Sequence, residues 1–410
     1  MLIYYTFILR IIAIGVKGFF ILVLPFYLTP SEVGLYGLIV ALVFFGVLLI
    51  GGDFYTYSQR KLASLEANKR AFILKNQFIA HLILYCILFP IGVLVFPADI
   101  IPVELLIVFL TLLIAEHISS ELNRILQVFQ LHLMASKLML FKVLWILVLI
   151  SLMHLYEEAR SIDVILNFWF TNIAVSILIY FFVIKKELSV ERFWQEDYSL
   201  TWIFNGFRVV LVYFLSTLLL RSLTVLDRLI LEHNIDLSIL GVYTVYMSLA
   251  MVVGLIVDGG IMQYYYPKLI SSVGKGSSQE KVVAIVKSML LKTGGVVIMG
   301  VSFLFVFTES FLNLLSDSLY LENIEVFWWL LLVSSTFSFM LIPHFVLYAY
   351  HLDRENLLAN ALSLSVFILI IYYYSTNLTM LNMAHSLAIS FIVMLAVKGI
   401  IAYRKISQHV

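Results

Sequence analysis

The chain has 410 residues, 62% of them apolar and only 12% charged, against roughly 45–50% and ~25% in soluble domains. No water-facing surface can be built from that composition, so the bilayer is the solvent the fold must satisfy. A formal net charge of +1 and one cysteine, Cys86, exclude a global basic bias toward nucleic acid, an intrachain disulfide and a cysteine metal cluster.

A helix that crosses the hydrocarbon needs ~20 mostly apolar residues. Such runs occur over 4–27, 32–54, 78–96, 102–121, 138–155, 163–184, 206–230, 238–262, 284–308, 325–347, 357–375 and 380–402. The first lacks a basic leader and a small-residue cleavage site, so it is expected to be retained as a span. The breaks are short and polar, as in 58-SQRKLASLEANKR-70 and 271-SSVGKGSSQEK-281.

Lys and Arg stay on the cytoplasmic side of membrane proteins. With the N-terminus inside, the inner loops and helix ends hold Arg60, Lys61, Lys69, Arg124, Lys142, Lys186, Arg192, Lys275, Arg354, Lys398 and Arg404, among others. The outer loops hold Arg160 and a set of acids that includes Asp99, Glu157, Asp236 and Glu322. This alternation predicts an all-α polytopic protein of about twelve transmembrane helices, N-in and C-in, without a periplasmic catalytic domain.

The chain also repeats. Without a gap, 31-SEVGLYGLIVALVFFGVLLIGGDFYTYSQRKL-62 aligns with 238-SILGVYTVYMSLAMVVGLIVDGGIMQYYYPKL-269, and Ser31, Gly34, Tyr36, Gly52, Tyr57 and Lys61 fall opposite Ser238, Gly241, Tyr243, Gly259, Tyr264 and Lys268. The expected organisation is two six-helix lobes, 1–200 and 201–410. Six is even, so both halves enter from one side, as parallel repeats related by an axis along the membrane normal.

A charge at mid-bilayer costs at least a few kcal/mol and normally faces a wet cavity or a partner. Arg10 and Lys17 lie seven residues apart on the first span, nearly on one face. The seventh carries Arg221, Asp227 and Arg228, and Arg221 has no acid three or four residues away. Arg10, Lys17, Arg221 and Arg228 are therefore candidates for a cationic cavity. Guanidinium groups suit phosphate oxygens, so an anionic, pyrophosphate-bearing guest fits. The acids Asp53, Asp227 and Asp258 are candidates for a gate or for ion coupling. Glu116 and His117 are candidates for proton relay, with interhelical hydrogen bonding as the plainer reading. Glu104 completes the intramembrane acids.

No Walker loop, no HExxH pair and no cysteine–histidine metal set occurs, and the nine histidines are scattered. Neither an enzyme, a cofactor nor a bound metal is expected.

The segments 31-SEVGLYGLIVALVFFGVLLIGGD-53 and 227-DRLILEHNIDLSILGVYTVYMSL-249 resemble the second helix and the seventh-to-eighth-helix junction of Wzx-type O-antigen flippases. These belong to the multidrug/oligosaccharidyl-lipid/polysaccharide (MOP) exporter superfamily. The resemblance implies two lobes around a cavity that opens alternately inward and outward. It implies a bacterial inner-membrane location and an undecaprenyl-pyrophosphate-linked oligosaccharide as cargo. A polysaccharide polymerase and a chain-length regulator are the implied partners. By helix and depth, Arg10, Lys17 and Arg221 match the family's cavity cations. A multidrug antiporter of the same superfamily is the alternative; a polysaccharide polymerase or ligase fits less well, since it would bear a long periplasmic loop.

Overall fold

Each apolar run becomes a helix, because a backbone in hydrocarbon must satisfy its own hydrogen bonds. The computed structural model describes residues 2–62, 70–95, 100–187, 190–274, 279–315 and 317–408. Lys69, Asp99 and Lys275 lie outside the described residues, as do the side chains of Arg60, Lys186 and Arg192. Among the described residues all regular structure is helical. Twelve helices are long and apolar enough to cross a membrane, so the chain is a multi-pass membrane protein.

In chain order the spans are α1 (Leu2–Val23), α2 (Pro30–Gly51), α3 (Arg70–Val95), α4 (Val103–Val128), α5 (His132–Leu155) and α6 (Ile162–Glu187). There follow α7 (Leu200–Asn234), α8 (Leu237–Gly274), α9 (Gln279–Leu312), α10 (Ile324–Ala349), α11 (Asp353–Tyr373) and α12 (Met380–Ser407). Each coincides with one of the twelve predicted runs. The short helices Tyr55–Leu62, Val190–Gln195 and Leu319–Glu322 lie between spans.

Contacts divide the chain into two units, residues 1–23 with 38–214, and residues 24–37 with 215–410. In the first, α1 packs chiefly on α5, and α4 on α6. In the second, α10 packs on α12 and α8, and α11 on α12. The α4–α6 and α10–α12 pairs are equivalent under the six-helix repeat.

The start of α2 belongs to the second unit, where it meets the start of α8. Pro30 opens α2 at a position whose N–H no helix would use. Ahead of it, Thr29 and Glu32 form a reciprocal cap, with Thr29 N donating to Glu32 Oε2 at 2.9 Å and Glu32 N to Thr29 Oγ1 at 3.4 Å. Asp236 caps α8 by accepting from Ser238 N at 3.2 Å. Residues paired by the sequence repeat then meet one another. Ser31 Oγ and Ser238 Oγ are 2.6 Å apart. A Cβ on Gly34 would fall 2.1 Å from Leu237 O, and one on Gly241 would fall 1.9 Å from Pro30 O. Leu237 is the repeat partner of Pro30, so the contact is reciprocal, as at a two-fold axis. Glycine is required because each helix touches the other's backbone.

The two copies diverge at their far ends. In the first, Gly52 (φ 54°) and Asp53 (φ 49°) turn left-handed and end α2. In the second, Val257–Met262 forms a π-helical stretch and the helix runs on to Gly274. Asp258 therefore sits inside a continuous helix, whereas Asp53 follows the end of α2.

Candidate functional site

The first unit concentrates charge in its interior. Glu116, at mid-α4, is almost completely buried and receives Lys142 Nζ from α5 at 2.8 Å. Its other oxygen accepts from Trp169 Nε1 of α6 at 2.9 Å. Lys142 was read as an inner helix-end residue. The structure places it near the middle of α5, because α5 begins six residues before the apolar run that marked it.

Lys17 joins this cluster from α1. Its ammonium stands 5.3 Å from the centroid of the Phe44 ring on α2, a cation–π contact. It is within electrostatic reach of both Glu116 and Lys142. Three other helices thus surround it, so it points into the bundle and not toward lipid. Lys17 nonetheless keeps accessible surface. Phe44 is likewise accessible and lies 6.3 Å from the Trp169 ring. Arg10, two turns toward the start of α1, donates from Nε to the neutral Ser136 Oγ at 3.1 Å. Among the described residues, the cluster therefore sets Lys17 and Lys142 against Glu116, and the acid is engaged by Lys142.

The candidates of the second unit are more nearly balanced. Arg221 is exposed on α7, and Asp258 of α8 lies within its electrostatic reach, an acid that local spacing could not reveal. Asp227 is fully buried and accepts from Tyr243 Oη at 2.8 Å and from the backbone N of Arg228 at 2.8 Å. The Arg228 guanidinium does not fold back on Asp227. It reaches Gly37 O at 3.2 Å, leaving Nε buried without a partner.

Lys398, also read as an inner helix-end cation, is wholly buried. Its Nζ lies 3.0 Å from His344 Nδ1 and 3.7 Å from Met340 Sδ on α10. Asp53 is buried in its left-handed turn, where its carbonyl accepts from Thr56 Oγ1 at 2.8 Å.

Glu116 and His117, adjacent in sequence, point about 100° apart around α4 and hydrogen-bond to different neighbours. His117 Nδ1 lies 2.8 Å from Tyr85 Oη on α3. Its ring is 4.7 Å from that of His81, with Glu121 one turn on. Two of the supposedly scattered histidines thus meet. Sequence reasoning singled out neither His81, Glu121 nor Trp169. A helical stripe at Gln77, His81 and Tyr85 in an otherwise apolar run is the signal that could have found the first.

No protein-family model matches the sequence, and no curated protein matches it. Solved structures do. The chain is similar over 98% of its length, and 98% of the other, to a multidrug resistance MATE family transporter of the MOP superfamily in its inward-facing conformation, with a TM-score of 0.69 at 14% identity. An outward-facing structure of a transporter so described matches over 100% of this chain and 96% of the other, with a TM-score of 0.65 at 17% identity. A MATE structure in complex with MaL6 gives 0.68 at 16% identity, over 100% and 96%. The chain has the twelve-helix fold of these transporters.

Proposed function

We propose that the protein is a flippase that carries an undecaprenyl-pyrophosphate-linked oligosaccharide, an O-antigen or capsule repeat unit, from the cytoplasmic to the periplasmic leaflet of a bacterial inner membrane. Alternating access of two lobes, with both termini inside, is the transport mode of this reading. The observation that carries it is Lys17, a cation that faces Phe44 and whose acidic neighbour, Glu116, is held by another lysine. A side chain so placed gains most from a negatively charged guest, because a low dielectric strengthens the attraction. The pyrophosphate is held there by Lys17 with Arg10, while the sugar occupies the wet space and the polyprenyl tail stays in lipid. Arg221 has Asp258 within electrostatic reach, so it is the weaker candidate for an anion.

The second reading is a multidrug antiporter, favoured by the fold it shares with multidrug MATE transporters. An organic cation wants an available carboxylate, and Glu116 is engaged by Lys142 and Trp169. The two readings separate in a deletion strain. Flippase function predicts loss of surface polysaccharide, restored by the wild-type gene and not by Lys17→Ala at equal protein level. Full polysaccharide with Lys17→Ala, or a drug-susceptibility phenotype in its place, refutes the reading.

A further inference from the structure

The first unit contains a cavity of about 990 Å³ among α3, α4, α6 and the short helix Val190–Gln195. Its walls are almost wholly apolar, with Phe78, Leu82, Phe89 and Phe181 among them. Against that background one polar group stands out: His81, Tyr85, His117 and Glu121 all line it. The helix register makes the group. His117 and Glu121 are one turn apart on α4, and Gln77, His81 and Tyr85 form a facing stripe on α3.

His81 and His117 are 7% and 2% exposed, and the Nε2 atom of each is buried with no hydrogen-bond partner. A buried polar atom left so is destabilising, and native structures seldom leave two together. One donor atom from each of His81, His117 and Glu121 lies within 4.8 Å of the others. Gly51 adds no side chain beside His117 Nε2; even a Cβ there would stay 3.7 Å away.

We propose that His81, His117 and Glu121 bind one divalent transition-metal ion of the zinc–cobalt type, with the cavity supplying access and an open coordination position. Two imidazoles and a carboxylate are a donor set for such an ion and not for magnesium or calcium, which prefer oxygen alone. The surrounding bonds are those that orient metal ligands. Tyr85 Oη meets His117 Nδ1; when Nδ1–H donates to it, Nε2 presents its lone pair to the metal. Gln77 Nε2 donates to Glu121 Oε2 at 2.6 Å, and Gln77 Oε1 accepts from Ser58 Oγ at 2.7 Å. Arg124 donates to Glu121 Oε1, so both carboxylate oxygens are oriented while each keeps a further lone pair for a metal ion.

The site lies on a different face of α4 from Glu116, which Lys17 approaches from α1, and stands independently of the flippase reading. The test uses the purified full-length protein in detergent, stripped of metal and titrated with Co²⁺ followed by Zn²⁺. One equivalent of Co²⁺ with visible ligand-field absorption, displaced by Zn²⁺, is expected. His81→Ala and His117→Ala should abolish it. Tyr85→Phe should weaken it about 10–100-fold. Lys17→Ala should leave it unchanged. X-ray absorption of the zinc-loaded wild type should report two imidazole ligands, without reliance on any variant's folding. A wild type that takes up no Co²⁺, or zinc without imidazole ligands, overturns the proposal and leaves a histidine pair bridged by water.

Discussion

Replacing Lys142 with Met tests how charge is divided inside the first unit. The Lys142 and Glu116 side chains are 12% and 2% exposed, and their charged atoms are 2.8 Å apart. Removing one partner of a buried pair costs about 3–5 kcal/mol, because the other charge is left alone in a poor solvent. Here Lys17 already interacts electrostatically with Glu116 and is expected to take over part of that pairing. Lys142→Met should therefore lose roughly half of that figure or less. The double variant Lys17→Met/Lys142→Met should lose the full amount, since Trp169 alone then faces Glu116. The expected non-additivity is about 2 kcal/mol, within the range for residues that share one network. Reversible unfolding in mixed micelles measures it. The same substitution should lower transport, because a Lys17 drawn to Glu116 no longer serves the guest. Additive stabilities, or normal transport by Lys142→Met, would show that Lys17 and Lys142 do not share Glu116.

Gly34→Ala and Gly241→Ala each place a methyl about 2 Å from a backbone carbonyl. Either should destabilise by about 1–3 kcal/mol as α2 and α8 are forced apart, read as a lower melting temperature, with Gly399→Ala, where space is open, as the unaffected control. Lys398→Met fills a wholly buried site whose nearest partners are His344 and Met340. It should melt no lower than the wild type, since apolar replacement of buried charge is commonly neutral or stabilising; a lower melting temperature would show a compensating partner for the ammonium.

The spans were legible because hydrocarbon leaves the backbone no alternative to helix. The repeat was legible because Gly34 and Gly241 are held by a backbone contact that no other residue type satisfies. Partnerships between helices were not legible. Spacing along α7 left Arg221 without an acid, while Asp258 reaches it from α8. Lys142 and Lys398 looked like loop-side cations, since an alternating charge count cannot tell a snorkelling lysine from one paired at depth. Glu116 and His117 looked like one site because adjacency in sequence conceals a rotation of a quarter turn or more. His81 stayed hidden until α3 and α4 were brought face to face.

On the flippase proposal, Lys17 gives the interior of the first unit an affinity for phosphate-bearing lipid. Its most direct measurement is equilibrium binding of an undecaprenyl-pyrophosphate oligosaccharide to the purified protein, with the dephosphorylated polyprenol oligosaccharide and an organic cation as comparators. Saturable binding of the pyrophosphate form alone, lost in Lys17→Ala, is the predicted result. Equal binding of the uncharged lipid, or preference for the cation, would contradict it.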